Sequence, residues 1–214
     1  MKRTIQTAGS LGIFLALFAV SPATAADDTG WRLKLTGVAA QATAEGGSDT
    51  AFGAGLGLEY RASRRLGVEV SLLTTELKDK ETFDFFGEET LTVESSLRMT
   101  PVLAKLNLHL TPDSKADLYL GPVVGRVVYD DFKIEVRSEG ESARGSIGTK
   151  DDWAWGAHVG VDVPVGDRGA FFTAGVTWLK TEVGIEVDPE DEEEGDVSSD
   201  LDPLVAQIGF GYRF

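Results

Sequence analysis

Eight segments of this chain alternate, residue by residue, between an apolar face and a small or polar one. They lie at roughly 31–40, 52–62, 66–77, 96–110, 117–128, 153–163, 170–187 and 204–214. Period-two alternation marks a strand with one face covered by apolar surroundings. The connections alternate too. Ser63-Arg64-Arg65, residues 111–116 (TPDSKA) and Gly166-Asp167-Arg168-Gly169 are short; residues 41–51, 78–94, 130–152 and 188–202 are long. An up-and-down ring of eight strands with both ends on one side needs three short turns and four long connections. A sandwich has no such requirement. Each segment also reaches the ~9–11 residues that a tilted strand needs to cross a bilayer. The expected fold class is therefore all-β, an eight-stranded antiparallel up-and-down transmembrane β-barrel.

The ends of the chain fit this reading. Lys2 and Arg3 precede a short apolar run, Leu11 to Val20, and the small-residue stretch Ala23-Thr24-Ala25. This is the pattern of a secretory signal peptide, too short to span a bilayer as a helix. Residues 1–25 are expected to be removed and 26–214 to form the barrel. Losing Lys2 and Arg3 takes the formal charge from −15 to −17, which excludes the basic surface of a nucleic-acid binder. Cysteine is absent, so no disulfide framework or thiolate metal site is available. No stretch after residue 25 is apolar for 18 consecutive residues. The 25 glycines, many inside the alternating segments, suit the crowded interior of a small barrel.

Parity assigns faces. In the second segment Phe52, Ala54, Leu56, Leu58 and Tyr60 point outward, with Gly53, Gly55, Gly57, Glu59 and Arg61 inward. The Gly53-x-Gly55-x-Gly57 run lacks the following helix of a dinucleotide loop and reads as small interior residues. In the third, Leu66, Val68, Val70 and Leu72 face out and Glu69 faces in. In the sixth, Trp153, Trp155, Ala157, Val159, Val161 and Val163 face out, with His158 and Asp162 inside. In the seventh, Phe172, Ala174, Val176 and Trp178 face out. The last places Leu204, Ala206, Ile208, Phe210, Tyr212 and Phe214 on lipid, and Gln207 and Arg213 inside. Glu59, Arg61, Glu69, Lys105, Arg126, His158, Asp162 and Arg213 are thus the expected polar lining, since a cation facing lipid at midplane costs about 2–4 kcal/mol. The fourth and fifth segments differ. Their interior parity is read as Leu103 on one and Leu118, Leu120 and Val124 on the other, an apolar wall suited to a small hydrophobic solute or simply to packing. Phe83, Phe85 and Phe86 in the second long connection are the other candidate ligand contacts.

Catalytic and metal chemistry find little support. His109 and His158 are the candidate bases, but His109 sits by a short turn and no serine lies beside His158 at matching depth. The run Glu190-Asp191-Glu192-Glu193-Glu194 lacks the spacing of an EF-hand and reads as a solvated loop, able at most to share bridging divalent cations with anionic lipid. No enzyme activity, cofactor or resident metal is expected.

Several motifs resemble the outer membrane protein W family. They are Met99-Thr100-Pro101 with Leu103-Ala104, the turn ending at Ala116, Tyr119-x-Gly121 with Gly125, and Asp152-Trp153 with Gly160-Val161-Asp162. The closing Leu201-Asp202-Pro203 and Gly211-Tyr212-Arg213-Phe214 are the most specific. The likeness runs from about residue 96 to the end; before that only strand spacing and Gly67-Val68-Glu69 agree. Leu204 departs from the tryptophan usual there. The resemblance implies an eight-stranded barrel in the outer membrane of a Gram-negative bacterium. Its interior would be narrow, largely apolar and non-enzymatic, and would admit small hydrophobic molecules. Membrane lipid and lipopolysaccharide would surround it. The barrel assembly machinery would read the terminal Phe214 with Tyr212. The competing expectation is a structural or interaction barrel with a plugged lumen and acidic outer loops.

Overall fold

A computed structural model describes residues 29–42, 50–85, 89–138, 141–185 and 198–214. The expected leader, Phe86 and the acidic run Glu190–Glu194 lie outside these residues. In chain order the strands are β1 (Gly30–Ala42), β2 (Ala51–Arg61), β3 (Leu66–Phe85), β4 (Glu89–His109) and β5 (Asp117–Tyr129). There follow β6 (Phe132–Ser138), β7 (Glu141–Ile147), β8 (Thr149–Lys150), β9 (Asp152–Pro164) and β10 (Ala170–Lys180). The chain ends with β11 (Glu182–Ile185), β12 (Ser198–Asp200) and β13 (Pro203–Arg213). Strands β1, β2, β3, β4, β5, β9, β10 and β13 pair antiparallel in sequence, and β13 returns to β1 from Arg32↔Arg213 to Ala42↔Pro203. The ring is closed, so no strand edge faces lipid, where an unpaired backbone group costs several kcal/mol.

The outer surface is apolar between two aromatic belts. Trp31, Tyr60, Phe210, Tyr212 and Phe214 are exposed at the short-turn end; Phe52, Trp153, Trp155 and Trp178 are exposed at the other. Tyr60 and Phe52 stand eight residues apart on β2. At ~3.3 Å per residue and a tilt of ~40°, that is about 20 Å, close to the ~25 Å apolar band of such barrels.

Two long connections are structured further than their composition suggests. Residues 78–85 and 89–94 continue β3 and β4 well beyond the belt, from Lys78↔Ser96 to Phe85↔Glu89. Lys78, Lys80 and Thr82 alternate there with Asp79 and Glu81, so the composition of that stretch marks no apolar face. The third connection folds as the β6–β7 hairpin, which adds to β4 through Leu91↔Ser138 to Ser96↔Lys133. Together β3, β4, β6 and β7 form a wing rising from the rim. The seventh segment ends earlier than expected, at Lys180, and β11 joins a small sheet with β8 and β12.

The interior is crowded enough to dictate glycine at particular points. A Cβ on Gly160 would overlap the Tyr119 ring, and one on Gly121 would overlap the Leu106 carbonyl. Tyr119 therefore fills the lumen beside Gly160, while at Gly121 the wall strand β5 runs close against β4.

Candidate functional site

The lumen divides into two tiers. The tier nearest the short turns is polar. Its inward positions alternate along β1 (Arg32, Lys34, Thr36), β2 (Glu59, Arg61), β3 (Glu69, Ser71) and β4 (Lys105, Asn107, His109), all buried. Lys34 Nζ lies 2.8 Å from Glu69 Oε2 and 3.0 Å from Glu59 Oε2. Lys105 Nζ donates to Glu69 Oε1 at 2.9 Å, and Asn107 Nδ2 to Glu59 Oε1 at 2.8 Å. His109 Nδ1 sits 2.9 Å from Asp117 Oδ2, and Arg61 pairs with the same carboxylate. Nε2 lies 3.1 Å from Arg61 Nε and 3.0 Å from Glu59 Oε1, so it accepts from Arg61 when unprotonated and donates to Glu59 when protonated. Asp162 accepts from Thr173 Oγ1 at 2.8 Å and faces Arg32 Nη1 at 3.6 Å. The Lys34 ammonium also lies over the Tyr119 ring, 4.6 Å from its centre.

Four cations (Arg32, Lys34, Arg61, Lys105) thus meet four carboxylates (Glu59, Glu69, Asp117, Asp162) in one network. Buried charges survive only when paired and hydrogen-bonded, and this balance meets that condition. Two small gaps border this network. One, of about 20 Å³, is lined by Lys34, Glu69, Ser71, Lys105, Tyr119 and His158 among others. Another, of about 30 Å³, lies among Arg32, Arg61, Asp117, Asp162, Phe171 and Arg213. Each has room for only a water or two. Ser71 Oγ borders the same gap as His158, yet no hydrogen bond joins them among the described residues.

The tier toward the long loops is mainly apolar, with Thr75, Thr177 and Thr181 as its buried polar side chains among the described residues. Val38 and Ala40 of β1, Leu73 and Leu77 of β3, Leu97, Met99 and Leu103 of β4, Val123 and Val127 of β5, Leu179 and Val205 pack as one cluster. Phe132, Val183 and Leu201 cover it from above. The boundary is sharp: Leu103 is fully buried, and Lys105, the next inward residue of β4, belongs to the charged network.

The model of the family described as outer membrane protein beta-barrel domain matches residues 11–214. The chain belongs to that family. This outer membrane barrel also resembles solved structures at low identity. The outer membrane protein OprG from Pseudomonas aeruginosa is 18% identical with a TM-score of 0.59, covering 88% of this chain and 97% of that one. The outer membrane protein AlkL, solved by solid-state NMR in DMPC bilayers, is 17% identical with a TM-score of 0.51, covering 92% and 97%. At such identity these likenesses speak for the fold alone. A search of curated proteins finds no significant match.

In this outer membrane barrel the sequence-derived residues fall into three groups. Glu59, Arg61, Glu69, Lys105, His158 and Asp162 are buried in the polar tier, Arg213 is half-buried at its lower end, and Leu103 is buried in the apolar tier. Leu118, Leu120, Val124 and Arg126 are placed differently from expectation. All four point outward, Leu120 at 43% exposure and Val124 at 51%. The inward residues of β5 are Asp117, Tyr119, Val123, Val127 and Tyr129. Parity misleads here because both faces of β5 are apolar toward the loops, while the deciding polar pair, Asp117 and Tyr119, stands at the opposite end. Arg126 tolerates the outer face because it lies at the upper belt, opposite Trp153 and 3.3 Å from Asp151. Phe83 and Phe85 belong to the end of β3, in register with Leu91 and Glu89 of β4.

Arg32, Lys34, Asp117 and Tyr119 are the network members that sequence reasoning passed over. The first two carried a readable signal: Trp31, Leu33 and Leu35 alternate with Arg32, Lys34 and Thr36, which sets the charges inward as clearly as in the second segment.

Proposed function

We propose that this barrel takes small hydrophobic molecules from the loop side into its apolar tier and releases them sideways into the bilayer. This is the outer membrane protein W reading that the sequence motifs imply. One observation supports it: a packed apolar cluster seated directly on a balanced, packed charge network. A greasy solute gains from the first and is refused by the second, where it would strip paired ions of their partners. An axial route being unfavourable, the wall offers the alternative. Between β3 and β4 the register pairs stop at Leu72↔Val102 and resume at Thr75↔Met99, across Pro101, which has no N–H to donate. The gap borders Leu73, Met99 and Leu103, all members of the apolar cluster. A non-enzymatic role without a cofactor follows from this reading. The outward Tyr212 and Phe214 fit recognition by the assembly machinery.

Uptake of an apolar fluorescent probe, N-phenylnaphthylamine, into vesicles bearing the refolded protein tests the proposal. Leu103→Asn puts an amide in the apolar cluster, at a cost of about 1–3 kcal/mol to an apolar solute passing through it, and is expected to slow uptake about tenfold. A folded Leu103→Asn barrel that transports like wild type would refute the apolar tier as the route. The filled lumen also supports a second reading, a structural barrel with no cargo; wild-type protein giving no uptake above empty vesicles would favour it.

A further inference from the structure

The chain is strongly acidic, yet its cations gather on one outer surface. On the wing, the side of β3 and β4 continuous with their lipid-facing residues carries Lys78, Lys80 and Arg98, and the neighbouring strands add Lys133, Arg137 and Arg144. The register sets them in rungs. Lys80 stands opposite Glu94, Glu94 opposite Glu135, and Glu135 opposite Arg144. Lys78, Ser96, Lys133 and Ser146 form the next rung toward the membrane. Among the described side chains six cations meet four carboxylates on this face, Glu76, Glu94, Asp130 and Glu135. The carboxylates fix the long cationic side chains: Arg137 Nε donates to Glu135 Oε1 at 2.8 Å, Arg144 Nη2 to the same oxygen at 3.2 Å, and Lys80 Nζ sits 2.8 Å from Glu94. The cations remain exposed all the same.

Height decides what this surface meets. Arg98 pairs across the ladder with Glu76, and Phe52 of the upper aromatic belt lies one step past Gly53↔Thr75, at that same level. The basic face therefore starts at the membrane boundary and rises from it, on the outside of the barrel, away from the lumen. Surface cations at that height face lipid headgroups, and in the outer leaflet of this membrane those are phosphorylated.

We propose that the outer face of the β3–β4–β6–β7 wing binds the phosphate groups of lipopolysaccharide in the surrounding leaflet. Rungs of preoriented Arg and Lys suit this ligand, since guanidinium forks and ammonium groups are the usual partners of phosphate oxygens. The inference rests on the outer-membrane assignment and is independent of any cargo in the lumen.

The test uses the full barrel in detergent, titrated with bisphosphorylated lipid A. Each basic residue at an anionic lipid surface contributes about fivefold in affinity, so Lys78→Ala/Lys80→Ala/Lys133→Ala together, which leave the Glu135 contacts of the hairpin intact, should weaken binding on the order of 100-fold. Chemically dephosphorylated lipid A should bind as weakly to wild type. Inorganic phosphate at millimolar concentration should not compete, because a free ion lacks the acyl chains that hold the headgroup at the rim. Heat-modified gel migration confirms that the variant is folded, and the charge-preserving Lys133→Arg should bind like wild type. Unchanged binding by the triple variant, equal binding of dephosphorylated lipid A, or equally tight binding of a soluble polyanion without acyl chains would each overturn the proposal.

Discussion

Replacing Lys34 by Met probes the charge network at its centre. The ammonium lies within 3.0 Å of both Glu59 and Glu69, so removing it strands two carboxylates in a buried site. Glu69 keeps Lys105 at 2.9 Å, and Glu59 keeps Asn107 at 2.8 Å; neither is left wholly bare. Removing one partner of a buried pair typically costs about 3–5 kcal/mol, and these surviving contacts set the expectation near 3 kcal/mol. The second arm is Lys34→Met/Glu59→Gln. It restores the balance, with Arg32, Arg61 and Lys105 against Glu69, Asp117 and Asp162, while the amide can still accept from Asn107. That double variant should regain about 2 kcal/mol, a coupling of the size seen for residues in one network. Urea unfolding from lipid vesicles, followed by tryptophan fluorescence, measures both. A single variant within 1 kcal/mol of wild type, or a double variant no better than the single, would refute the claim that charge balance holds this tier together.

Two further outcomes follow from placement. Leu120→Arg puts a cation on the lipid-facing side of β5 inside the apolar band and should destabilise the barrel by about 2–4 kcal/mol in the same urea assay, without altering probe uptake by the molecules that do fold. Glu135, above the membrane, is held down to about 2 by its hydrogen bonds from Arg137 and Arg144. A carboxylate so depressed lends its stabilisation fully above its ordinary value near 4.5, and loses it as pH falls through about 2. Amide exchange protection in the β6–β7 hairpin should therefore hold from pH 7 to 5 and drop in stronger acid, whereas Glu135→Gln should show low protection throughout.

The ring itself was legible because lipid imposes one rule on every outward residue. Phe52, Ala54, Leu56, Leu58 and Tyr60 against Gly53, Gly55, Gly57, Glu59 and Arg61 admit one orientation. The rule lapses where its physical cause does. Above the belt there is no lipid to impose it, so Lys78 to Thr82 carry no parity that marks an apolar face. At the loop end of β5 the lumen is as apolar as the lipid, so Val123 and Val124 are interchangeable by composition. The network was legible residue by residue but not as a network. Lys34, Glu59 and Glu69 come together through the stagger between β1, β2 and β3, with Lys34 opposite Gly57 and Glu59 opposite Glu69. Hydrophobic pattern specifies which side a residue faces; it leaves the offset between neighbouring strands to the closed geometry.

That the last strand mates with the first has a consequence for assembly. Trp31 near the start and Phe214 at the end share a backbone hydrogen bond, Phe214 N donating to Trp31 O at 3.1 Å. Until the final residues arrive, β1 and β10 each present a ladder of unpaired amides, and hydrocarbon satisfies neither. No shortened chain can rest in the bilayer as a stable fragment, and contacts that span nearly the whole polypeptide are slow to form. The incomplete sheet must therefore be sheltered along two edges until its own carboxyl end comes to seal them.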